Sequence, residues 1–375
     1  MIRLRSPRVL SGVWGKGPST GVGPAEPDAT VTVGFAFPWR RLVIGLVAVG
    51  LVGVLAASQG SVRMPPATVL EMLVSRLPLV EIEQDWSDAW DTILWQIRLP
   101  RIVLAALVGG ALATAGATYQ GLFRNPLAEP SLIGAASGAG LGATVVLATG
   151  VPLYFHGMSL LPIAAFTGAV AAVAVAYLIA RRSEGVGLTT LILAGVAIAS
   201  LTSAVTSLLM IRSDPDLRLV LSWLMGSFVS AQWKHSLIVL PYLAFSGMLV
   251  LAYGRILNVF HLNEEHALQL GVTVERTKVV LIGAATMSTA AAVAFTGPIV
   301  FVGLIAPHAV RMVWGGDYRF LLPMSAIVGA GFLIVADLAA RTLASPAELP
   351  VGIVTAFCGA PFFLYLLRRR RRVEM

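Results

Sequence analysis

Residues Leu42–Ser58 read LVIGLVAVGLVGVLAAS, a run of 17 positions without one charged side chain. A bilayer core about 30 Å thick is crossed by a helix of about 17–25 mostly apolar residues, so this run predicts a transmembrane helix. The alternative is a secretory signal peptide with a cleavage region at Ala56-Ala57-Ser58. Because the apolar core of a signal peptide typically has only about 7–15 residues, we expect a helix that is not cleaved.

The composition of the whole chain predicts that this helix is one of many. Of the 375 residues, 57% are apolar and only 12% are charged, about half the roughly 25% of an average soluble domain. The mean hydropathy is +0.82. The single cysteine, Cys358, can form neither an intrachain disulfide nor a zinc cluster. These values exclude an ordinary soluble enzyme, a disordered chain and a nucleic-acid binder, and they indicate an all-α polytopic membrane protein.

Ten runs are candidates for membrane-crossing helices. They are Leu42–Ser58, Arg101–Phe123, Ser131–Thr149, Ser159–Ala180, Leu188–Met210, Ser236–Tyr253, Val279–Phe295, Pro298–Val313, Leu321–Arg341 and Pro350–Leu367. The run Pro298–Val313 is short and contains Gly303 and Pro307, so protein or a cavity must cover its freed backbone groups. A further stretch, Leu219–Phe228, is too short to span and predicts an interfacial helix.

Small residues predict how these helices pack. Gly109, Ala113 and Gly116 share one face of the second helix, and the third opens with a Gly-rich run from Gly134 to Gly142. No hydrophobic force drives helices together in lipid, so close backbone approach at small residues has to supply the association. We therefore expect helix contacts at these positions.

The distribution of basic residues predicts the orientation. With the N-terminus inside, the 27 Lys and Arg residues divide into 19 on the cytoplasmic side and 8 on the opposite side. The positive-inside rule then puts both termini in the cytoplasm. The predicted organisation is a flexible cytoplasmic tail over residues 1–38, a ten-helix domain over 39–367 and a basic cytoplasmic tail over 368–375.

The chain carries no motif for ATP binding or catalysis. A P-loop needs Lys followed by Ser or Thr, whereas the three lysines are followed by Gly17, His235 and Val279. The patterns G-x-S-x-G and H-E-x-x-H are missing as well. His261 and His266 leave a metal site as an alternative, although their spacing matches no specific motif. We expect no catalytic residue, no metal and no cofactor.

One carboxylate, Asp337, lies well inside a predicted span. A charge at a helix centre costs about 2.5–3.5 kcal/mol on insertion scales, so such a group usually has a partner or a function. Arg341 follows four residues later on the same helix face and can pair with Asp337. A single paired acid is too little to indicate a proton relay.

Four blocks of sequence carry a resemblance to a known family. Residues 96–101 read QIRLPR, residues 120–130 read QGLFRNPLAEP with LIG at 132–134, residues 297–308 read GPIVFVGLIAPH, and residues 347–352 read AELPVG with GAP at 359–361. In this order and spacing they resemble the iron-chelate and cobalamin (FecCD-type) permease family of ABC importers. The resemblance covers residues from about 42 to 367, and the N-terminal 38 residues resemble nothing in the family.

The resemblance implies the type II ABC importer permease architecture, with ten helices per subunit and a substrate path along the two-fold axis of a homodimer. It further implies two ATPase subunits on the cytoplasmic side, a periplasmic substrate-binding protein outside, and the bacterial inner membrane as the location. ATP hydrolysis would then belong to a separate subunit, so the chain itself is not expected to be an enzyme. The implied cargo is an iron chelate, either a ferric siderophore or haem, with cobalamin (vitamin B12) as the alternative.

Three arginines on the outer side are implied to receive acidic residues of the binding protein. Arg98 and Arg101 are predicted just before the second helix, and Arg341 at the outer end of the ninth. Exposed pairs of about 0.2–1 kcal/mol set orientation and encounter rate more than affinity. The alternative is that Arg98 and Arg101 reach lipid headgroups, while Arg341 neutralises Asp337.

The stretch Asn258–Lys278 is predicted to couple the permease to the ATPase. The resemblance implies two short helices hinged at Gly271 that insert into a groove on the ATPase. A mostly polar surface with a few apolar anchors suits such docking. The alternative is a plain connecting loop, for which 21 residues is long. The residues assigned to coupling are Asn258, Glu264, Glu265, Leu270 and Gly271.

A cytoplasmic gate is implied at the inner end of the second helix. Asn125 and Leu127 belong to it by resemblance, opposed by Thr189 and Thr190 at the start of the fifth helix. The flanking prolines prevent helix continuation, which gives a loop that can move without melting a span. The alternative is a simple turn, since Asn-Pro marks turns generally.

Two other function classes remain open from the sequence. A membrane-embedded enzyme or receptor would transport nothing, and an autonomous ion-coupled carrier would transport without any ATPase. The leading prediction is the translocation subunit of an ABC importer that supplies a path and a gate and performs no covalent chemistry.

Overall fold

The fold is known from a computed structural model that describes residues 37–78, 80, 83–149, 154–155, 158–182, 185–212, 217–262 and 264–371. Nearly all of the predicted N-terminal tail and the last part of the C-terminal tail lie outside these residues. Seven helices of the described chain are long and apolar enough to cross a membrane. They are α1 (Trp39–Ser58), α3 (Asp88–Leu122), α5 (Leu160–Ala180), α6 (Leu188–Arg212), α8 (Trp233–Ala252), α11 (Val274–Thr296) and α13 (Tyr318–Thr342).

Three shorter apolar helices complete the predicted set of ten. They are α4 (Ala135–Ala148), α12 (Val302–Trp314) and α14, which runs from Val351 to Arg371 and is apolar as far as Leu366. The all-α membrane fold predicted from the apolar runs is therefore confirmed.

The connections contain short elements. They are α2 (Pro66–Val74), α7 (Leu217–Leu224), α9 (Gly254–Leu262), α10 (Glu264–Gln269), a 3₁₀ helix at Pro130–Ile133, and the strands β1 (Tyr154–Phe155), β2 (Met158–Ser159), β3 (Arg181–Arg182) and β4 (Gly185–Val186). The strands form two antiparallel pairs, β1 with β2 and β3 with β4. Helix α7 corresponds to the predicted interfacial helix and is strongly amphipathic.

The second membrane helix begins earlier than predicted. Helix α3 begins at Asp88, where the Ser87 side chain caps the backbone N–H of Trp90, and not at Arg101. Pro100 lies within it, two residues after the end of the wider π-helical segment Ile93–Arg98. A proline cannot donate a backbone hydrogen bond, and a π-helical turn accommodates such a gap within a continuous helix. Arg98 and Arg101 consequently belong to the helix itself.

Glycines set the closest helix contacts, as the small-residue pattern predicts. A Cβ atom at Gly109 would overlap the carbonyl group of Gly329 on α13, and one at Gly116 would overlap Gly303 on α12. Gly138 on α4 meets Gly168 on α5 in the same way. Close backbone approach of this kind supplies van der Waals association in lipid. Helices α3 and α11 are the most buried spans, whereas α1, α6 and α8 are largely exposed on the surface of the single chain.

Candidate functional site

Five charged residues meet at the predicted outer end of α3 and α13, and we call them the outer ion cluster: Arg98, Arg101, Asp337, Arg341 and Glu348. The Nε atom of Arg101 lies 2.9 Å from both carboxylate oxygens of Asp337, and its Nη1 lies 2.7 Å from Oε2 of Glu348. Arg341 Nε lies 3.2 Å from Asp337 Oδ2. The predicted pairing of Asp337 with Arg341 is therefore present, and Arg101 adds the shorter contacts.

The same arginines hold the last turn of α1. Arg98 donates hydrogen bonds to the carbonyl oxygens of Ala57 and Val62, and Arg341 donates to those of Ala56 at 3.1 Å and Gln59 at 3.3 Å. The carbonyl groups at a helix C-terminus lack intrahelical donors and carry partial negative charge, so guanidinium groups satisfy and stabilise them. The cluster thus joins α1, α3, α13 and the segment that follows α13.

The burial of these arginines indicates that they stabilise the fold of the chain itself. Arg98 is 4% exposed and Arg101 is 6% exposed, and Asp337 is 1% exposed. Removing one partner of a buried ion pair costs about 3–5 kcal/mol because the other charge stays buried. This geometry supports the alternative in which Arg341 neutralises Asp337. Docking of a binding protein on Arg98, Arg101 and Arg341 stays a prediction.

The predicted coupling stretch contains α9 and α10. Gly271 lies between α10, which ends at Gln269, and α11, which begins at Val274, and the role of this segment in coupling stays a prediction. Gly271 ends α10 with φ of +77°, and the N–H of Val272 donates to the carbonyl of Ala267 at 2.9 Å. This is a Schellman motif, in which glycine tolerates the left-handed conformation at the helix end.

The other coupling residues divide between the surface and a buried contact. Leu268 and Leu270 are 60% and 69% exposed, which makes them apolar side chains in contact with no core. Glu264 and Glu265 lie on α10. Asn258 on α9 is a structural contact: its Nδ2 donates to Asp317 Oδ1 at 2.8 Å.

Asn258 and Asp317 join the coupling segment to the start of α13. The Oδ1 atom of Asn258 accepts from the backbone N–H of Tyr318 at 2.8 Å, and Asp317 Oδ1 accepts from that of Arg319 at 3.0 Å. Partial burial on its own would raise the pKa of the Asp317 carboxyl. Hydrogen bonds from Arg319 and Asn258, with the charge of Arg319, outweigh burial and hold that pKa below its usual value.

Two of the four predicted gate residues, Asn125 and Leu127, lie in residues 123–129, which we call the gate loop. Asn125 is exposed, and its Oδ1 accepts from the backbone N–H of Leu127 at 3.0 Å, which forms an Asx turn. The 3₁₀ helix that follows packs its backbone against Gly195 of α6. Thr189 is exposed and Thr190 half-buried at the start of α6. The contact of the 3₁₀ helix with α6, at Gly195, lies further along that helix.

Glu129 is a gate-loop residue whose importance the sequence did not indicate. Its carboxylate accepts a hydrogen bond from the backbone N–H of Phe301, the residue that precedes α12. Phe301 has φ of +69°, a left-handed conformation that is unfavourable for a non-glycine residue. Glu129 therefore satisfies a donor at the first turn of the short helix.

Gln120 contacts the same helix at two points. Its Nε2 donates to the carbonyl oxygen of Gly303 at 3.0 Å, and its Oε1 accepts from Arg311 Nη1 at 2.6 Å. The first of these contacts covers the Gly303 carbonyl, the group that Pro307, four residues later, leaves without a helical donor. Gln120 and Glu129 both lie in the quoted block 120–130, but their partners are more than 170 residues away, so no local signal could identify them.

Helix α6 carries exposed hydroxyl groups along one face. Thr189, Ser200, Ser203 and Ser207 are exposed at spacings of 11, 3 and 4 residues, which places them on one side of a helix. The hydroxyl groups of Ser200 and Ser207 bond back to the carbonyls four residues earlier. Thr202, half-buried, does the same. The polar stripe makes α6 the exposed membrane helix best suited to a wet path.

The fold and these features define a multi-pass membrane transport protein of the permease class. A family model described as the FecCD transport family matches residues 46–369, and the chain belongs to this family. Its identity is 49% over 278 residues with the cobalamin import system permease protein BtuC of Halobacterium salinarum, covering 74% of each chain. The identity with the hemin transport system permease protein HmuU of Yersinia pestis is 41%, and the match covers 76% of this chain and 87% of the other.

A solved ABC transporter of the metal-chelate type, in an inward-facing conformation, has the same fold. The TM-score is 0.76 at 31% identity, and the match covers 88% of this chain and 99% of the other. The family predicted from the four sequence blocks is therefore confirmed. Permeases of this family are the transport subunits of type II ABC importers and work with separate ATPase subunits and a binding protein.

Proposed function

We propose that this chain is the membrane subunit through which an ABC importer moves a metal chelate into the cytoplasm. The observation that carries the proposal is the agreement in fold, over 88% of the chain, with a metal-chelate type ABC transporter. The expected location is the bacterial inner membrane with both termini inside, which the 19-to-8 division of basic residues supports. ATP is hydrolysed by a partner, since the chain has no P-loop lysine.

The cargo is an iron chelate or cobalamin. An iron chelate is the leading candidate because the family's relatives include a hemin permease and a Fe(3+) dicitrate permease. Cobalamin is the second candidate, favoured by the 49% identity with a cobalamin permease. Both are bulky metal chelates, so a wide path of weak contacts serves either one, and selectivity then belongs to the binding protein.

The working unit is a homodimer with the path between the two copies. The stripe of exposed hydroxyl groups on α6 supports this arrangement, because polar side chains on a membrane helix normally face protein or a water-filled cavity rather than lipid. In the dimer, α6 of each copy lines the path, and Asn125, Leu127, Thr189 and Thr190 form the gate at its cytoplasmic end.

The ATPase binds the coupling segment formed by α9 and α10. Leu268 and Leu270 are exposed apolar side chains that can serve as anchors in a groove on the partner. Glu264 and Glu265 lie on the same short helix and complete the assigned docking residues. Asn258 holds the segment against α13 from behind.

The binding protein docks on the outer face near the outer ion cluster. Arg98, Arg101 and Arg341 are the residues assigned to this contact. Their guanidinium groups pair within the chain, but three arginines face only two carboxylates, so we infer that the remaining positive charge attracts an acidic side chain of the binding protein.

The proposed function is tested by reconstitution. The chain is purified with its ATPase, inserted into vesicles and supplied with the binding protein, and uptake of a ferric siderophore, haemin and cobalamin is measured in parallel. We expect ATP-dependent uptake of one of the three and none when the P-loop lysine of the ATPase is substituted. Uptake without the ATPase would instead support an ion-coupled carrier, and no uptake of any chelate would contradict the proposal.

A further inference from the structure

Helix α12 is a half-helix that begins inside the membrane. Its Gly303 packs against Gly116 and against the Leu112 carbonyl, both well within the span of α3, which ends at Leu122. At about 1.5 Å per residue, Gly116 lies roughly 9 Å before the inner end of α3, and the 13 residues of α12 extend about 20 Å. The first turn of α12 therefore lies at membrane depth, where water cannot satisfy its backbone N–H groups.

The gate loop supplies the missing acceptor at that depth. The Glu129 carboxylate accepts from the N–H of Phe301, and the ring of Pro130 packs against Gly303. The phenyl ring of Phe301 lies against Gly359 of α14. One end of α12 is thus attached to the gate loop through the side chain of one residue, Glu129.

The other end of α12 reaches the coupling segment. The helix ends at Trp314, and three residues later Asp317 receives the hydrogen bond from Asn258 of α9. Between the two ends, Arg311 Nη1 donates to Gln120 Oε1 at 2.6 Å. The set of contacts runs from Asn258 of α9 to the backbone N–H of Tyr318, from the Tyr318 hydroxyl to Arg311 Nη2 of α12 at 3.2 Å, and from the other end of α12 to Glu129 and the gate loop.

We infer that Glu129 is a positioning residue that makes the gate loop follow α12, so that a displacement of the coupling segment by the ATPase reaches the gate. The inference rests on the proposed function. Pro307 lies inside the 13 residues of α12, and Gln120 bonds to the Gly303 carbonyl that the proline leaves free, so the helix can move as one body. The gate loop has no regular structure of its own. Without the contact from Glu129, α12 still moves with the coupling segment and the gate loop does not move with it.

The experiment separates transmission from folding. Glu129→Ala removes the acceptor, and Glu129→Gln keeps an acceptor oxygen but removes the charge. Each variant is purified as the full complex with the ATPase and the binding protein. We expect assembly and ATP hydrolysis close to wild type but uptake reduced about tenfold for E129A, within the range of measured coupling effects. E129Q should fall between E129A and wild type.

The matched control is Glu71→Ala, because Glu71 is an exposed glutamate on α2. It should leave assembly, hydrolysis and uptake unchanged. Uptake by E129A equal to that of E71A would overturn the inference. A parallel loss of assembly, hydrolysis and uptake in both E129A and E129Q would also overturn it, because that pattern describes a residue needed only for folding.

A second measurement follows the gate directly and does not depend on the cargo. Asn125→Cys is introduced into a Cys358→Ser chain, since Cys358 is the single cysteine, and labelling by a maleimide is timed with and without ATP. We expect ATP to change the labelling rate in the parent, and E129A to abolish that change. If ATP changes labelling equally with and without Glu129, the inference fails. If wild-type vesicles import no chelate, the proposed function fails, and labelling still decides the inference.

Discussion

The two ends of α3 are held in opposite ways. At the outer end, Asp337 is paired with both Arg101 and Arg341, and the arginines also hold the end of α1. At the inner end, Glu129 and Gln120 each hold α12 by one or two hydrogen bonds. The outer contacts join side chains of opposite charge and are shared among several elements, whereas each inner contact joins an ionisable or polar side chain to a neutral group. The comparison indicates that the outer end is fixed, while the inner end, where the gate is predicted, can rearrange at modest cost.

The largest expected effect is at the outer end. Asp337→Asn keeps the size of the side chain but leaves Arg101 and Arg341 buried beside a neutral amide. Removing one partner of a buried pair costs about 3–5 kcal/mol. We therefore expect the free energy of unfolding, measured by denaturant unfolding of the purified chain in detergent, to fall by about that amount.

An exposed pair on the same side of the protein provides the control. Asp91 Oδ2 lies 3.1 Å from Arg76 Nη2, with side chains 32% and 62% exposed. Because exposed pairs contribute about 0–1 kcal/mol, Asp91→Asn should change the unfolding free energy little. A loss in D337N no larger than that in D91N would show that charge pairing does not fix the outer end.

The next largest effect is expected where α12 packs on α3. Gly116→Ala places a Cβ atom against the carbonyl group of Gly303, and both backbones must shift to accept it. Overpacking typically costs about 1–3 kcal/mol. We expect a loss of unfolding free energy in this range, together with reduced uptake, because α12 is displaced from Glu129.

Gly283→Ala is the matched control for that substitution. Gly283 lies in α11 with no other atom within 4 Å of a Cβ at this position. Alanine is favoured over glycine in a helix by about 1 kcal/mol, so G283A should be neutral or stabilising. If G116A is as stable as G283A, the close contact between α3 and α12 does not restrain the half-helix.

The same contrast explains how much could be predicted from the sequence. The ten helices follow from runs of apolar residues, because each has to match the thickness of the bilayer. The Asp337–Arg341 pair follows from i,i+4 spacing on one helix. The prediction that α12 is too short and interrupted for a full membrane crossing follows from Pro298, Gly303 and Pro307. Each of these signals is local in the sequence.

Contacts between distant segments could not be predicted. Arg101 and Asp337 are 236 residues apart, and Glu129 and Phe301 are 172 apart. Arg98 and Arg101 were expected outside the helix because arginine before an apolar run usually lies at the membrane surface. The π-helical turn before Pro100 extends the helix outward and buries both side chains.

A smaller effect, dependent on pH, is expected between the coupling segment and α13. The pKa of Asp317 is lower in the folded chain than in the unfolded one, so its ionised form stabilises the fold. This contribution is complete at neutral pH and is lost as the pH falls below about 3.9, through the folded pKa. Because the Asp317 side chain is about one-third exposed, its ionised carboxylate contributes less than about 1 kcal/mol to the free energy of unfolding.

As the pH falls below about 4, the stability of the Asp317→Asn variant should therefore decrease less steeply than that of wild type. The measurement is the midpoint of thermal unfolding as a function of pH. Asp85→Asn, at an exposed position outside this contact, serves as the control. If D317N and D85N follow the same pH dependence, the hydrogen bonds of Asp317 do not contribute to stability.

The smallest effect on stability is expected at the docking surface itself. Leu270 is 69% exposed and contacts no core, so Leu270→Ser should change the unfolding free energy by no more than about 0.5 kcal/mol. The same substitution removes an apolar anchor, and such anchors typically contribute at least about 1–2 kcal/mol to an interface. Co-purification of the ATPase with the chain should therefore weaken about tenfold. Substitution of an equally exposed leucine inside a membrane helix, Leu237→Ser on α8, should leave co-purification unchanged. Equal ATPase binding by L270S and L237S would mean that α10 is a plain connection and that the force from the ATPase enters elsewhere.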